Sequence, residues 1–420
     1  HHYPDSHLTE YLDKSVFDVV GVSVIGGYYQ YRKLISLSKA INASKRRPFY
    51  ALGGHGPSPE PEFFLKKSGA DVICIGEGEV TAVELMDVLA GKRELRSVKG
   101  IAFMEGDKCI KTPARELIKD VDSIALPAWD MFPVDYYSLI RPPNIRHDER
   151  CMSVLSGRGC VFECNFCYRM DKGFRPRAAG AISAEIKVLK ERYGISYISF
   201  EDELLMSNVR RTKELSQTFL DEDLNIKWSC NGRLNFAEPD VLKLMKKSGC
   251  VFINYGIECM DNEILKVMNK HLTVDQVTKG IEATLKEGIS PGINIIFGNI
   301  GEDERTLEKG VEFLLKHDDQ AQFRTIRPVT PYPGCALYYY AIEHNLLGGV
   351  EDFYENKHLN SDLMAVNFTK LSDDRFYEVL YAANKRLIDN YFSKQKDKAI
   401  GAAKRLYLER DPNFRGFRQT

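Results

Sequence analysis

The sequence predicts an α/β protein in which a doubly wound N-terminal domain precedes a partial (β/α)6 barrel and a helical C-terminal region. Three observations support this fold class. Before residue 92, a β-branched run that closes on glycine and leads into a helical stretch occurs three times. From residue 151 to about 340, six βα units follow one another, which is fewer than the eight of a closed barrel. A hydrophobic content of 44% is ample for the cores of such domains.

The N-terminal domain is predicted to cover residues 1–92. Its strand-like runs are DVVGVSVI, PFYALGG and ADVICIGEGEV, and helical stretches follow each of them. Ligands of doubly wound sheets bind at the carboxyl ends of the strands. The residues expected at that crevice are Ser23, Gly26, Gly54, His55 and Gly76.

Three further segments complete the predicted organisation. Residues 93–150 contain a hairpin-like stretch, GIAFMEGDKCIKTPAR, and a Pro-rich aromatic stretch, and are predicted to form a linker. Residues 151–343 are predicted to form the partial barrel, with strands that include ISYISFED, IKWSCNGR, CVFINYGIE, SPGINIIFGN and AQFRTIRPV. Residues 344–420 are predicted to be mainly helical.

Charge and composition narrow the class of protein. A net charge of −1 without a basic stripe argues against a nucleic acid or an anionic membrane as partner. No apolar run approaches the roughly 18 residues of a membrane span, and the polar N-terminus is unlike a secretory signal. Seven of the ten cysteines are scattered, as buried thiols would be. A reduced, cytoplasmic protein is therefore expected.

The other three cysteines form the pattern C-x3-C-x2-C in GRGCVFECNFCYR, at Cys160, Cys164 and Cys167. Structural zinc needs four ligands, usually in two separated pairs, and no CxxC or HxxxH partner follows downstream. Three thiolates suit a 4Fe–4S cluster, where they hold three irons and leave the fourth open to a cofactor or substrate. The cluster is favoured. A zinc site completed by Cys151 or Cys230 is the alternative.

The segment CVFECNFC resembles the signature of the radical S-adenosylmethionine (SAM) superfamily, C-x3-C-x-aromatic-C. The resemblance implies that the three cysteines ligate the cluster and that SAM chelates its open iron. An electron from the cluster would then cleave SAM to methionine and a 5′-deoxyadenosyl radical, which abstracts hydrogen from carbon. An external donor of the flavodoxin or ferredoxin type would supply that electron.

The same resemblance implies a SAM site at the ends of the barrel strands, in the segments SFEDELLMSN, WSCNGRLN, NYGIE and IIFGNIGE. The implied SAM-contacting residues are Glu201, Asp202, Glu203, Arg233, Glu258, Gly298 and Gly301. For each residue a structural explanation stays open, namely an ordinary acidic loop, an ion pair or a turn glycine.

The N-terminal strands and the segments ALPAWDMFPVDYY and TPYPGCALYYYA resemble the class B branch, in which a cobalamin-binding domain precedes the radical domain. The loop D-x-H-x-x-G, which carries a cobalt-ligating histidine in some cobalamin proteins, is not in the sequence. The first βαβ unit of such a domain is also expected to be missing. The crevice residues Ser23, Gly26, Gly54, His55 and Gly76 are then expected to contact a corrinoid. For His55, capping a Gly-rich turn is the favoured role.

Three functions follow from these patterns. The first is cobalamin-dependent methyl transfer to a carbon of a small-molecule substrate. The second is a radical SAM dehydratase, epimerase or cyclase that transfers no methyl group, acting on a natural-product or sugar-like substrate. The third, a cluster-bearing sensor, is disfavoured because a sensor needs no SAM site. A methylthiotransferase is disfavoured because the N-terminal half has no second cysteine trio. Cys335 is a candidate hydrogen donor to a product radical, with a buried thiol as the alternative.

Overall fold

The computed structural model of the chain describes residues 4–142 and 144–414. These residues form two compact units, and each unit is assembled from separate stretches of the chain. The first unit contains the described residues up to Leu126, Gly157–Arg177 and Pro328–Asn367. The second unit contains Pro127–Ser156, Ala178–Arg327 and the described residues from Phe368 onward.

The strands are numbered in chain order. They are β1 (Val19–Ser23), β2 (Phe49–Gly53), β3 (Val72–Cys74), β4 (Ile101–Glu105), β5 (Lys108–Lys111), β6 (Cys151–Val154), β7 (Gly157–Arg158), β8 (Arg175–Pro176), β9 (Tyr197–Phe200), β10 (Lys227–Gly232), β11 (Cys250–Glu258), β12 (Ser290–Phe297) and β13 (Arg327–Pro328).

The α-helices are numbered in the same way. They are α1 (Asp5–Lys14), α2 (Tyr28–Asn42), α3 (Pro61–Ser68), α4 (Glu79–Leu89), α5 (Val134–Tyr137), α6 (Ala179–Tyr193), α7 (Val209–Asp221), α8 (Pro239–Lys247), α9 (Asn262–Val267), α10 (Val274–Lys286), α11 (Glu304–Lys316), α12 (Ala336–Glu343) and α13 (Asp373–Tyr407).

The sheet of the first unit has the order β1-β2-β3-β4-β5. The three predicted strands β1, β2 and β3 pair in parallel, as expected of runs joined by helices. The hairpin of β4 and β5 continues the sheet, because β4 pairs antiparallel with β3. A core of Val72, Leu85, Val98, Ile101 and Phe103 joins the hairpin to the strands before it. The sequence predicted that this hairpin belongs to a linker. The apolar residues of a hairpin do not show which other strand it will pair with.

The sheet of the second unit has the order β13-β12-β11-β10-β9-β6, and β6, β9, β10, β11 and β12 pair in parallel. The predicted partial barrel is confirmed. The strand expected over AQFRTIRPV is reduced to Arg327–Pro328. Just before it, the Arg324 guanidinium pairs with Asp318 at 2.8 Å and with Asp319 at 2.7 Å. These ion pairs close the chain into a turn where an extended strand was predicted.

Five helices of the second unit, α7, α9, α10, α11 and α13, start after a residue whose side chain accepts from their first N–H groups. Thr273 and Asp303 form capping boxes at the starts of α10 and α11. The predicted helical C-terminal region consists largely of α13, which is 35 residues long. Asn384 of this helix accepts a hydrogen bond at its Oδ1 from the backbone N–H of Ile326, at 2.8 Å.

Candidate functional site

The three predicted cluster ligands lie on one loop of the first unit, between β7 and β8, which we call the cluster loop (residues 159–174). Cys164 is buried, Cys160 is half-buried and Cys167 is exposed. The Cys167 N–H donates to the Cys164 carbonyl at 3.2 Å, which turns the chain between these two ligands. Three thiols on one short loop are the donor set that iron–sulfur clusters use. Within residues 4–142 and 144–414, no three His, Cys, Asp or Glu side chains converge as a site for a single ion.

One buried carboxylate holds both ends of the cluster loop. Glu77, in the loop between β3 and α4, accepts hydrogen bonds from Arg158 at 2.6 Å and from Arg175 at 2.9 Å. The Ile118 N–H also donates to it, at 2.7 Å. Burial acts to raise the pKa of Glu77, but these donors outweigh it and the pKa is lowered. We call this arrangement the Glu77 clamp. No sequence pattern indicates it, because its members are distant along the chain.

A cavity of about 420 Å³ lies in the first unit, and we call it the strand-end cavity. It brings Gly26 and His55, two of the predicted corrinoid residues, to the same space as Cys167 of the cluster loop. The other wall residues are Ile25, Gly27, Gln30, Gly56, Phe166, Tyr168, Tyr332, Pro333, Tyr354 and Ser361. Ser23, Gly54 and Gly76 do not line this cavity.

Gly54 does not line the cavity but packs against the backbone of Val24, next to the wall residue Ile25. Its φ of +100° lies in a region that favours glycine, and a Cβ there would approach the Val24 carbonyl oxygen to 2.5 Å. The Gly56 N–H donates to the same carbonyl at 3.0 Å. The turns that follow β1 and β2 can therefore pack closely only with glycine at this position. A direct corrinoid contact for Gly54 stays a prediction.

Two features of the strand-end cavity fit a corrinoid. Small residues at Gly26, Gly27 and Gly56 leave room for a large ring. The Tyr354 hydroxyl is buried at the wall and has no hydrogen-bond partner among the described residues, so it can bond a ligand. His55 is exposed at the wall, and its ring packs edge-on against Tyr168 with 6.1 Å between centroids.

A second cavity, of about 310 Å³, lies inside the half-barrel of the second unit, and we call it the barrel cavity. Glu201 is the member of the predicted acidic trio that lines it, and its Oε1 accepts from Ser199 at 2.5 Å. Cys151 and Cys230 also line this cavity, and burial raises the pKa of Cys151 to about 12. The wall is otherwise rich in hydroxyl and amide groups, from Ser153, Ser229, Asn231, Asn254 and Gln322.

Three asparagines on neighbouring strands form a row of amides along the barrel interior. Asn231 Nδ2 donates to the Asp202 carbonyl at 2.8 Å, which fixes the orientation of its amide. Asn254 Nδ2 then donates to Asn231 Oδ1 at 3.0 Å, and Asn294 Nδ2 donates to Asn254 Oδ1 at 2.8 Å. Each amide keeps a second N–H. We call this the amide row; it faces a ligand mainly as a hydrogen-bond donor.

Two predicted SAM residues, Arg233 and Glu258, are brought together through Lys270. Lys270 Nζ lies 2.8 Å from Glu258 Oε1, and both side chains are at most 10% exposed. Arg233 donates to the carbonyl of Lys270. A Cβ at Gly256 would collide with Glu258 Oε1, so glycine makes room for this pair. The site therefore has a structural ion pair in addition to any contact with SAM.

The loop after β12 is organised by an acid that the sequence reasoning did not single out. Glu302 is 3% exposed, and its Oε2 accepts from the N–H groups of Gly298 at 2.8 Å and Asn299 at 2.9 Å. Burial raises the pKa of its carboxyl to about 7. Gly298 and Gly301 have φ values of +103° and +86°, which fits the alternative explanation of turn glycines, and their contact with SAM stays a prediction. The acid at the end of GNIGE was the signal available in the sequence.

The remaining candidates occupy different surroundings. Asp202 is buried and its Oδ1 accepts from the Ser156 N–H at 2.6 Å, whereas Glu203 is exposed. Cys335 is buried as the N-cap of α12, where its sulfur accepts from the Tyr338 N–H at 3.4 Å. Burial raises the pKa of the Cys335 thiol to about 11. Cys335 lines neither cavity, and its role as a hydrogen donor stays a prediction.

Comparisons with known proteins agree with this arrangement. The family model of the radical SAM superfamily matches residues 154–314, and that of the B12 binding domain matches residues 2–86. An uncharacterized methyltransferase of Pyrococcus horikoshii is 32% identical over 348 residues, which are 81% of this chain and 73% of that protein. The anaerobic magnesium-protoporphyrin IX monomethyl ester cyclase of Rubrivivax gelatinosus is 26% identical over 331 residues, which are 76% of this chain and 58% of that protein.

A solved structure shows the same fold. The radical SAM methyltransferase TsrM from Kitasatospora setae, with cobalamin and a 4Fe–4S cluster bound, superposes with a TM-score of 0.70 at 16% identity. The superposition covers 91% of this chain and 81% of that chain. Within the described residues no helix has both the length and the apolar character to cross a membrane. The chain belongs to the radical SAM superfamily, in the branch whose members also carry a B12-binding domain.

Proposed function

We propose that the protein is a cobalamin-dependent radical SAM methyltransferase that methylates a carbon atom of a small polar molecule. The observation that carries the proposal is the strand-end cavity, because Gly26, in the turn after β1 of the B12-binding match, and Cys167 of the cluster loop line the same space. The names of the Pyrococcus horikoshii relative and of TsrM support methyl transfer as the reaction.

When bound, the cluster, SAM and the corrinoid supply an electron, a hydrogen-abstracting radical and a transferable methyl group. The thiolates of Cys160, Cys164 and Cys167 would hold three irons. The Glu77 clamp keeps the two ends of their loop together through charged hydrogen bonds, which are stronger than neutral ones.

The barrel cavity supports a polar substrate. Its amide row offers N–H donors whose orientation is set by the Asp202 carbonyl, and Ser199 and Ser229 add hydroxyls. A site built to donate hydrogen bonds rejects a molecule that cannot accept them. We therefore propose a substrate with carbonyl or hydroxyl oxygens. A flavodoxin- or ferredoxin-type protein as electron donor, and a cytoplasmic setting, complete the proposal.

The experiment is anaerobic reconstitution with iron, sulfide and hydroxocobalamin, followed by gel filtration and incubation with deuteromethyl-labelled SAM and a low-potential reductant. We expect one corrinoid per chain, iron–sulfur absorbance, 5′-deoxyadenosine, and deuteromethylcobalamin by mass spectrometry. The variant with alanine at Cys160, Cys164 and Cys167 should lose the cluster absorbance and form no 5′-deoxyadenosine.

Two results would contradict the proposal in different ways. A wild-type protein with a full cluster that cleaves SAM but retains no corrinoid would favour the dehydratase, epimerase or cyclase chemistry instead. Full iron content in the triple cysteine variant would contradict the assignment of the cluster ligands.

A further inference from the structure

Tyr354 has a buried hydroxyl that makes no hydrogen bond within the described residues, unlike the neighbouring Tyr31. The residue is 1% exposed, and its hydroxyl has no partner among the described residues. The adjacent Tyr31, also fully buried, donates its hydroxyl to Glu355 Oε1. Because a buried hydroxyl without a partner costs free energy, one at a cavity wall indicates a ligand.

The ring of Tyr354 is held in one orientation. Tyr31 stacks on it with 4.6 Å between centroids, and Phe63 stacks at 5.9 Å. Phe64 packs edge-on at 5.4 Å. The residue lies in a π-helical turn, Asp352–Lys357, a rare geometry that is frequent at functional sites.

The hydroxyl of Tyr354 lies beside Gly26 at the wall of the strand-end cavity. A Cβ placed on Gly26 would lie 3.3 Å from it, and both residues line that cavity. Cys167 of the cluster loop and His55 line the same cavity. A hydroxyl fixed beside Gly26 is therefore placed to bond a polar group of a ligand that lies against the glycines.

We propose that the Tyr354 hydroxyl donates a hydrogen bond to a carbonyl oxygen of an amide side chain on the corrin ring. This assignment rests on the corrinoid binding in the proposed function. The amide groups on the rim of a cobalamin are acceptors of the kind that a phenol O–H needs. Tyr354 acts as a binding residue and takes no part in the chemistry at cobalt.

The test compares Tyr354→Phe with wild type and with the control Tyr50→Phe, each with a reconstituted cluster. Tyr50 is also buried, but its hydroxyl bonds Ser38 Oγ at 2.8 Å. The dissociation constant for hydroxocobalamin and for cobinamide is measured by absorbance titration, and the melting temperature is measured without corrinoid. Tyr354→Phe should bind both corrinoids about ten-fold more weakly while melting no lower than wild type. Tyr50→Phe should show the opposite pattern, a lower melting temperature with unchanged affinity.

Each other outcome overturns the inference. Equal affinities of wild type and Tyr354→Phe would show that the hydroxyl does not contact the corrinoid, and would leave methyl transfer standing. Weaker binding of hydroxocobalamin with unchanged binding of cobinamide would move the contact to the nucleotide tail. A wild-type protein that binds neither corrinoid would overturn the inference together with the proposed function.

Discussion

Replacing Glu258 by glutamine separates two roles that the structure allows for this carboxylate. Its Oε1 pairs with Lys270 Nζ at 2.8 Å in surroundings where neither side chain is more than 10% exposed. Glutamine keeps an acceptor for Lys270 but removes the negative charge. Losing a charged hydrogen bond costs about 1.5–3 kcal/mol of unfolding free energy. If SAM hydroxyls also use the carboxylate, SAM affinity should fall about ten-fold or more.

Lys270→Met and the double variant Glu258→Gln/Lys270→Met complete a cycle. Lys270→Met leaves Glu258 as a buried charge without its partner, which costs about 3–5 kcal/mol. The double variant has no uncompensated charge at this place, so it should regain part of that stability. Its SAM affinity should nevertheless stay as low as that of Glu258→Gln.

Urea denaturation gives the stabilities, and anaerobic equilibrium dialysis with labelled SAM gives the affinities, at matched iron content. A double variant that binds SAM as tightly as wild type would refute the reasoning, because the carboxylate would then serve only the ion pair with Lys270.

Two other predictions concern buried carboxylates. Glu77→Ala should lower the iron bound per chain after reconstitution, because Arg158 and Arg175 lose the carboxylate they share; Glu79→Gln, which alters a more exposed pairing of Arg158, is the control. Equal iron in both variants would contradict the role of the Glu77 clamp. Burial raises the pKa of Glu302 from 4.5 to about 7, so the native state favours the protonated acid. The free energy of unfolding should therefore fall as the pH rises between these two values, by about 3 kcal/mol in total. Glu302→Gln should lack this loss in urea denaturations at pH 5 and pH 8, and parallel pH profiles of the two proteins would count against the prediction.

The fold class and the position of the cluster loop could be predicted from local sequence patterns. The three cysteines lie within eight residues, and strands and helices alternate with periods that short windows reveal. The contacts that shape the two cavities join distant residues. Arg175 meets Glu77 across 98 residues, and Tyr31 meets Glu355 across 324. A pattern that identifies Glu258 as a strand-end acid cannot reveal that Lys270 neutralises it, since pairing depends on how β11 ends and on the glycine at position 256.

The way the chain alternates between the two units bears on how the protein folds. The first unit is completed only when Pro328–Asn367 joins the stretches that precede it. Closing contacts between such distant segments costs chain entropy before the contacts repay it, which slows folding. During synthesis, the residues up to Leu126 can therefore complete their unit only after Pro328–Asn367 has been made. A fragment cut at Leu126 would keep Gly26 and His55 but lack the cluster loop and Tyr354, so the complete strand-end cavity could not be studied on that fragment.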